Sequence, residues 1–257
     1  EGSVCSELIP LLPRVGLKWL ATDEGNLARS LHASGQNWYR PSDLYRAYRT
    51  GPPDGEMTIV FRDRELSDAF GFPYHKTTRD VGAEDVLQRL RHVVRDVPHD
   101  RVLIPIILDG ENPWEHYHEG GEQFLSALYT AFEQQGLHEA GTVETETATV
   151  SEALASMPPS THLPYLHSGS WINQDFKIWI GHEEDNRGWT LLSHTRSHLI
   201  ERISDLPPER AKTAWHELYA AEGSDWFWWY GDDFDTAYKE EFDRLFRTHL
   251  RNVWTLA

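Results

Sequence analysis

Along the first 150 residues the spacing of apolar positions changes repeatedly between short runs and a helical period. Residues 17–22, 58–62 and 102–108 are short apolar runs and read as strands, the last of them continuous and fully buried in character. Between them, residues 84–94 place Val86, Leu87, Leu90, Val93 and Val94 on one helical face. Residues 121–135 do the same with Phe124, Leu125, Leu128 and Phe132, and Gly136 stands where a helix would stop. Strands alternating with helices are the pattern of parallel strands joined by crossovers, so this region predicts half of a β/α barrel. Pro158, Pro159 and Pro164 then interrupt regular structure and set a domain junction at 157/158. Beyond it, residues 176–180 read as one more strand and residues 186–203, 208–222 and 235–255 as helices. The stripe of Phe242, Leu245, Phe246, Leu250 and Trp254 in the last helix suits packing in a helical subdomain over 158–257.

Composition narrows the classes of partner. The 257 residues exceed the usual domain size of roughly 100–200, which fits a core with an appended subdomain. Forty-one acidic against 24 basic residues give a formal charge of −17, which repels phosphate backbones and anionic lipid surfaces. Nucleic acid and membrane are therefore not expected partners. Cys5 is the sole cysteine, so no internal disulfide forms, and no apolar run approaches the roughly 20 residues that span a bilayer. A cytoplasmic location is expected. The chain opens on Glu1 without a leader pattern, which predicts an N-terminal portion of the same protein upstream. The 11 Trp, 10 Tyr and 10 Phe beside only two Met give the first hint of function. Aromatic rings with polar edges match the flat C–H faces and hydroxyl rims of sugars, although filling a core is the plainer explanation of any single Trp.

Three stretches carry possible chemistry. The run over 101–108 ends in Asp109-Gly110-Glu111-Asn112-Pro113-Trp114, and in a β/α barrel the carboxyl ends of strands project catalytic groups. A carboxylate beside Trp and apolar residues can act as a general acid, while a turn capped by Asp109 is the plainer alternative. Trp226-Phe227-Trp228-Trp229-Tyr230 follows Ser224-Asp225, and five successive aromatics cannot share one helix face because neighbours point about 100° apart. Either a sugar cleft or a wedged helix accommodates them. Ser168-Gly169-Ser170-Trp171-Ile172-Asn173 reads as a loop that exposes Trp171 or plugs a hairpin with it. His116 and His118 lie near Asp109 at a strand-face spacing, but there is no His-Glu-x-x-His and no thiolate set, so neither a metal nor another cofactor is expected. The acids after His182 read as a helix cap. Phosphate loops and the Gly-x-Ser-x-Gly elbow are absent from the sequence.

Four phrases in order, Leu108-Asp109-Gly110-Glu111-Asn112-Pro113-Trp114-Glu115, Ser170-Trp171-Ile172, Ile178-Trp179-Ile180-Gly181 and Ser224-Asp225-Trp226-Phe227-Trp228-Trp229, resemble family 57 of the glycoside hydrolases. The resemblance implies an incomplete seven-stranded β/α barrel followed by a helical subdomain, and a retaining hydrolase or transglycosylase acting on α-glucans or oligosaccharides. It places Asp109 as acid/base and Glu1 as nucleophile, with Glu24 at a strand end as the fallback. Trp226 then stacks on sugar and Asp225 orients a hydroxyl or a neighbouring side chain. Glu111, Trp114 and Trp171 join them as substrate contacts. Further motifs of the family belong upstream, so the fragment alone is expected to be inactive. Two alternatives remain, a noncatalytic glycan-binding or regulatory module and a metal-dependent carbohydrate deacetylase or mannosidase.

Overall fold

The computed structural model describes residues 1–36, 39–97, 101–111, 113–134 and 145–257. Asn112 and Gly136 lie outside them. The chain forms two compact units, Glu1–Asp175 and Phe176–Ala257.

In the first unit the chain runs through β1 (Trp19–Asp23), α1 (Glu24–Ala33), α2 (Pro41–Leu44), β2 (Tyr48–Thr50), β3 (Met57–Arg62), α3 (Arg64–Gly71), α4 (Arg79–Asp96), α5 (Glu122–Gln134), α6 (Val150–Ser156) and β4 (Thr161–Leu163). The sheet order is β1-β3-β2-β4. β1 lies parallel to β3 with Leu20 opposite Ile59, β2 is antiparallel to β3, and β4 is parallel to β2. Among the described residues this is a mixed four-stranded sheet with helices, an α/β unit as expected. β1 ends on Asp23 and β3 is followed directly by Asp63, and each aspartate starts the next helix. The Asp23 carboxylate accepts the Gly25 N–H at 2.8 Å to cap α1, and Asp63 accepts the Leu66 N–H at 2.9 Å to cap α3.

The strand expected over 102–108 is extended but joins no ladder. The Leu103 N–H donates to Tyr45 O at 3.0 Å, Pro105 O accepts from Asp63 N at 3.2 Å, and Ile107 N donates to the Ser67 hydroxyl at 3.1 Å. Pro105 has no N–H to give, so the regular exchange a strand needs breaks at its centre. The units divide at 175/176 rather than at 157/158 because the segment after the prolines returns to the first unit. β4 pairs with β2, and Val4 and Gly169 exchange two backbone hydrogen bonds of 2.9 Å.

Two apolar clusters hold this unit. Leu27, Tyr48, Ile59, Phe61, Leu163 and Leu166 anchor one. Val86, Leu87 and Leu90 of α4 meet Phe70, Tyr74, Phe124 and Leu128 in the other; of the rest of the face expected for that helix, Val94 packs partly buried on the same cluster and Val93 on the first.

The second unit is helical: α7 (Glu183–Arg202), α8 (Pro208–Ala221), α9 (Asp225–Trp228) and α10 (Lys239–Leu256). Leu192 and Leu199, Ala214 and Leu218, and Phe246, Leu250 and Val253 are the buried positions at helical spacing. Of the expected stripe, Phe246 and Leu250 are buried, Phe242 is half-buried, and Leu245 and Trp254 are exposed, so the apolar face turns through Val253 instead. The strand expected over 176–180 is a turn. Phe176 O accepts from both Trp179 N and Ile180 N at 2.9 Å, and Ile178 and Trp179 are buried without a pleat. Among the described residues no helix is long and apolar enough to cross a membrane.

Candidate functional site

The helix-starting aspartates put a dense set of charges at the carboxyl ends of β1 and β3. Asp23 is fully buried, and besides capping α1 it accepts from Arg62 Nε and Arg64 Nε, each at 3.1 Å, and from Arg64 Nη2. The Asp23 carboxylate holds two guanidinium groups, and its bonds raise the Arg64 pKa above its ordinary value. Arg62 reaches Asp68 at 3.0 Å with its remaining arm. Asp63 accepts the Tyr45 hydroxyl at 2.8 Å, and burial followed by the Asp63 charge pushes the Tyr45 phenol up. Glu24 is half-buried among these acids. Burial first, then the charges of Asp63 and Asp23, raise its carboxyl to about 7 against the partial relief given by Arg64.

Glu1 is attached to this same end of the sheet. Its carbonyl accepts the Trp171 N–H at 3.1 Å, and its carboxylate accepts the Trp171 indole N–H at 3.0 Å. The Trp171 ring stacks over the Arg62 guanidinium, 4.5 Å from its carbon to the ring centroid. Gly2 has φ +60, and a Cβ there would sit 2.9 Å from the Trp171 ring, so this step of the chain requires glycine. The Gly2 carbonyl accepts the Thr22 hydroxyl at 2.5 Å, and Thr22 in turn accepts from Asn26 Nδ2 at 2.7 Å. The loop expected to expose or plug Trp171 thus does neither: the ring is half-buried between Arg62 and Glu1.

Asp109 is half-buried and follows the extended segment whose Pro105 carbonyl meets the residue after β3. Glu111 is exposed, and its carbonyl accepts from Trp114 N at 3.0 Å. Trp114 is half-buried against Tyr117, with ring centroids 5.5 Å apart. His116 and His118 fall in short 3-10 turns rather than on a strand, and His116 packs on His75 at 5.2 Å.

In the second unit Asp225 is exposed at the first turn of α9. The Trp226 indole donates to Ala220 O at 2.9 Å, and its half-buried ring touches Phe242, Phe246 and His249. Phe227 is fully buried and stacks on Trp189 at 3.8 Å, and Trp228 stacks on Phe234 at 4.4 Å. The aromatic run is met largely by partners of its own unit. Among the described residues no metal-ligating group contains Asp109 or His116.

Asp23, Asp63, Arg62, Arg64 and Tyr45 escaped sequence reasoning as site residues. A repeated signal was present: Ala21-Thr22-Asp23-Glu24 and Phe61-Arg62-Asp63-Arg64-Glu65 both end an apolar run with Asp and begin a helix with an acid in its first turn.

An α/β unit with acids gathered where parallel strands give way to helices, followed by a helical unit, defines the class as an α/β protein with a candidate site at its strand ends. The chain belongs to glycosyl hydrolase family 57, whose sequence model matches residues 1–165. Solved structures similar in fold include a 4-alpha-glucanotransferase from Thermococcus litoralis, at 14% identity and TM-score 0.66 over 100% of this chain and 41% of that one. A branching enzyme of the family from Thermococcus kodakaraensis shares 16% identity at TM-score 0.66, over 95% of this chain and 52% of that one. The alpha-amylase AmyC from Thermotoga maritima shares 12% at 0.67, over 99% and 57%. The chain spans about half the length of these proteins. A comparison with curated proteins gave no match.

Proposed function

We propose that this chain carries the two catalytic carboxylates of a retaining hydrolase or transglycosylase acting on α-glucans, within a longer protein whose sheet completes an incomplete seven-stranded barrel. Asp109 protonates the departing glycosidic oxygen while a Glu1 carboxylate oxygen attacks the anomeric carbon, forming a glycosyl-enzyme ester. Asp109 then takes a proton from water or an acceptor hydroxyl, which opens the ester with net retention. Trp171, Trp114 and Glu111 are the proposed sugar contacts of the first unit; Asp225 and Trp226 are proposed separately as sugar contacts of the second.

The observation that carries this reading is the anchoring of Glu1. Its main chain and carboxylate are both bonded to Trp171, beside the carboxyl end of β1, as a nucleophile that must not swing requires. Glu24 suits that role poorly. A carboxyl raised to about 7 is half protonated near neutral pH, whereas attack needs the ionised form. Family membership and the names of the glucanotransferase, branching enzyme and amylase neighbours support the α-glucan class.

The test is Asp109→Asn in the full-length protein. Turnover of maltooligosaccharides falls by at least about a hundredfold while sugar binding persists. Unchanged turnover rejects the acid/base assignment. Binding without turnover in the unmutated full-length protein favours the noncatalytic glycan-binding alternative.

A further inference from the structure

We propose that Asn26 is a positioning residue for Glu1, its buried side-chain amide holding together the two chain segments that meet at that carboxylate; the inference rests on the nucleophile role proposed for Glu1. Asn26 is the third residue of α1 and is fully buried. Its Nδ2 donates to Thr22 Oγ1 at 2.7 Å and to Ser170 O at 3.0 Å. Thr22 and Ser170 each lead to Glu1.

The first path runs through the main chain. The Thr22 hydroxyl donates to the carbonyl of Gly2, the residue after Glu1, at 2.5 Å. Because Asn26 donates to the hydroxyl oxygen, the hydroxyl proton is left for Gly2, so the amide sets the direction of that bond. The second path runs through the ring partner. Ser170 precedes Trp171, whose main-chain and indole N–H groups both bond Glu1. Ser30, one turn further along α1, repeats the attachment: its hydroxyl donates to Asn26 O at 2.6 Å and accepts the His167 N–H at 2.8 Å. The position of Glu1 is thereby referred to a helix rather than to the end of a loop.

The amide oxygen makes no such bond. Asn26 Oδ1 is buried with no hydrogen-bond partner, and an acceptor left unpaired in the interior lowers stability. A leucine at this position would avoid that cost and extend the buried apolar face of Leu27 and Leu31. It would not supply the two N–H bonds. Aspartate would match the shape but bring no donor, and it would set a charge against the Ser170 and Gly169 carbonyls, the latter 3.5 Å from Nδ2. The donors are therefore what an asparagine contributes here.

A carboxylate that attacks an anomeric carbon must stand about 3–3.5 Å from it, and a small displacement costs rate far more than binding. Fully buried, Asn26 touches no sugar itself. Its loss therefore appears in kcat and leaves KM nearly unaltered.

The test uses the full-length protein and its turnover of maltooligosaccharides. Asn26→Leu removes both donors and is expected to lower kcat by at least about tenfold, with KM within about twofold of the parent. Thr22→Val keeps the shape of the side chain, breaks the path through Gly2 and should lower kcat in the same way; it decides the matter by itself if Asn26→Leu does not fold. In Trp171→Phe, which lacks the indole N–H, adding Asn26→Leu should cost less than it does in the parent, since both act on one carboxylate. Parental kcat in Thr22→Val, a loss confined to KM, or losses that multiply in full in the double variant each overturns the proposal. Glu1→Gln separates this inference from the reading beneath it. If Glu1→Gln abolishes turnover while Thr22→Val keeps parental kcat, only the role of Asn26 fails. Undiminished turnover in Glu1→Gln removes the nucleophile itself, and the proposed mechanism with it.

Discussion

The strand-end charges of the first unit escaped the sequence reading while the aromatic run of the second unit stood out in it, and the structure treats the two in opposite ways. Trp226, Phe227 and Trp228 find partners among Phe242, Phe246, Trp189 and Phe234, so apolar packing accounts for most of their surface. Asp23, Arg62 and Asp63 gain little from packing. A buried ion pair is seldom worth more than the hydrophobic residues that could replace it. Apolar burial explains itself, whereas a costly buried charge network calls for a use. At this end of the sheet the network fixes Trp171, and Trp171 fixes Glu1.

The largest effect that would break this contrast comes from Asp23→Ala. It leaves the buried Arg62 with Asp68 as its one remaining carboxylate and removes the α1 cap, so a loss of about 3 kcal/mol is expected in denaturant unfolding. A double replacement, Asp23→Leu with Arg62→Met, should recover most of that stability while loosening Trp171, seen as a change in its fluorescence. Full recovery with Trp171 unmoved would mean that the network is structural alone. Trp226→Ala comes next. If the ring serves packing, the variant loses roughly 2–3 kcal/mol, below the loss at a full core site because the ring is only half-buried. Stability within about 0.5 kcal/mol of the parent, with glucan binding lost in the full-length protein, would move Trp226 to the binding surface and erase the contrast.

Much of the secondary structure was legible because amphipathic period survives in any tertiary context: α4, α5, α7, α8 and α10 all lie where Val86, Leu128, Leu192, Leu218 and Phe246 recur at helical spacing. The strands were less so. Residues 102–108 carry the composition of a buried strand, but Pro105 withholds a donor, and composition alone does not show which neighbour accepts. Ile178 and Trp179 are buried for reasons of packing, which a short apolar run cannot distinguish from pleating. β2 and β4 are three residues each, too short to show a period. In the site, Asp109 and Glu1 were named from a resemblance, whereas the partnership of Glu1 with Trp171 joins residues 170 positions apart and leaves no local trace. Asp23 was passed over because an aspartate before a helix reads as a cap. It is one, and it also holds two arginines.

Glu24 sharpens the comparison by the smallest step, since it is the member of the charged cluster whose ionisation the fold resists. Its folded pKa of about 7 lies above the ordinary value of 4.5 that it regains on unfolding. Below 4.5 both states hold the proton and the residue costs nothing. Between 4.5 and 7 the unfolded chain releases the proton first, so stability falls as pH rises, and above about 7 the full cost is present. Glu24→Gln removes the charge while keeping the shape, so it should raise Tm at pH 8 and leave it nearly unchanged at pH 4. The gain is moderated by the solvent that reaches this half-buried side chain. An equal change at both pH values would show that Glu24 contributes through packing, and the acids at the strand ends would then lack the mutual repulsion that distinguishes them from the aromatic run.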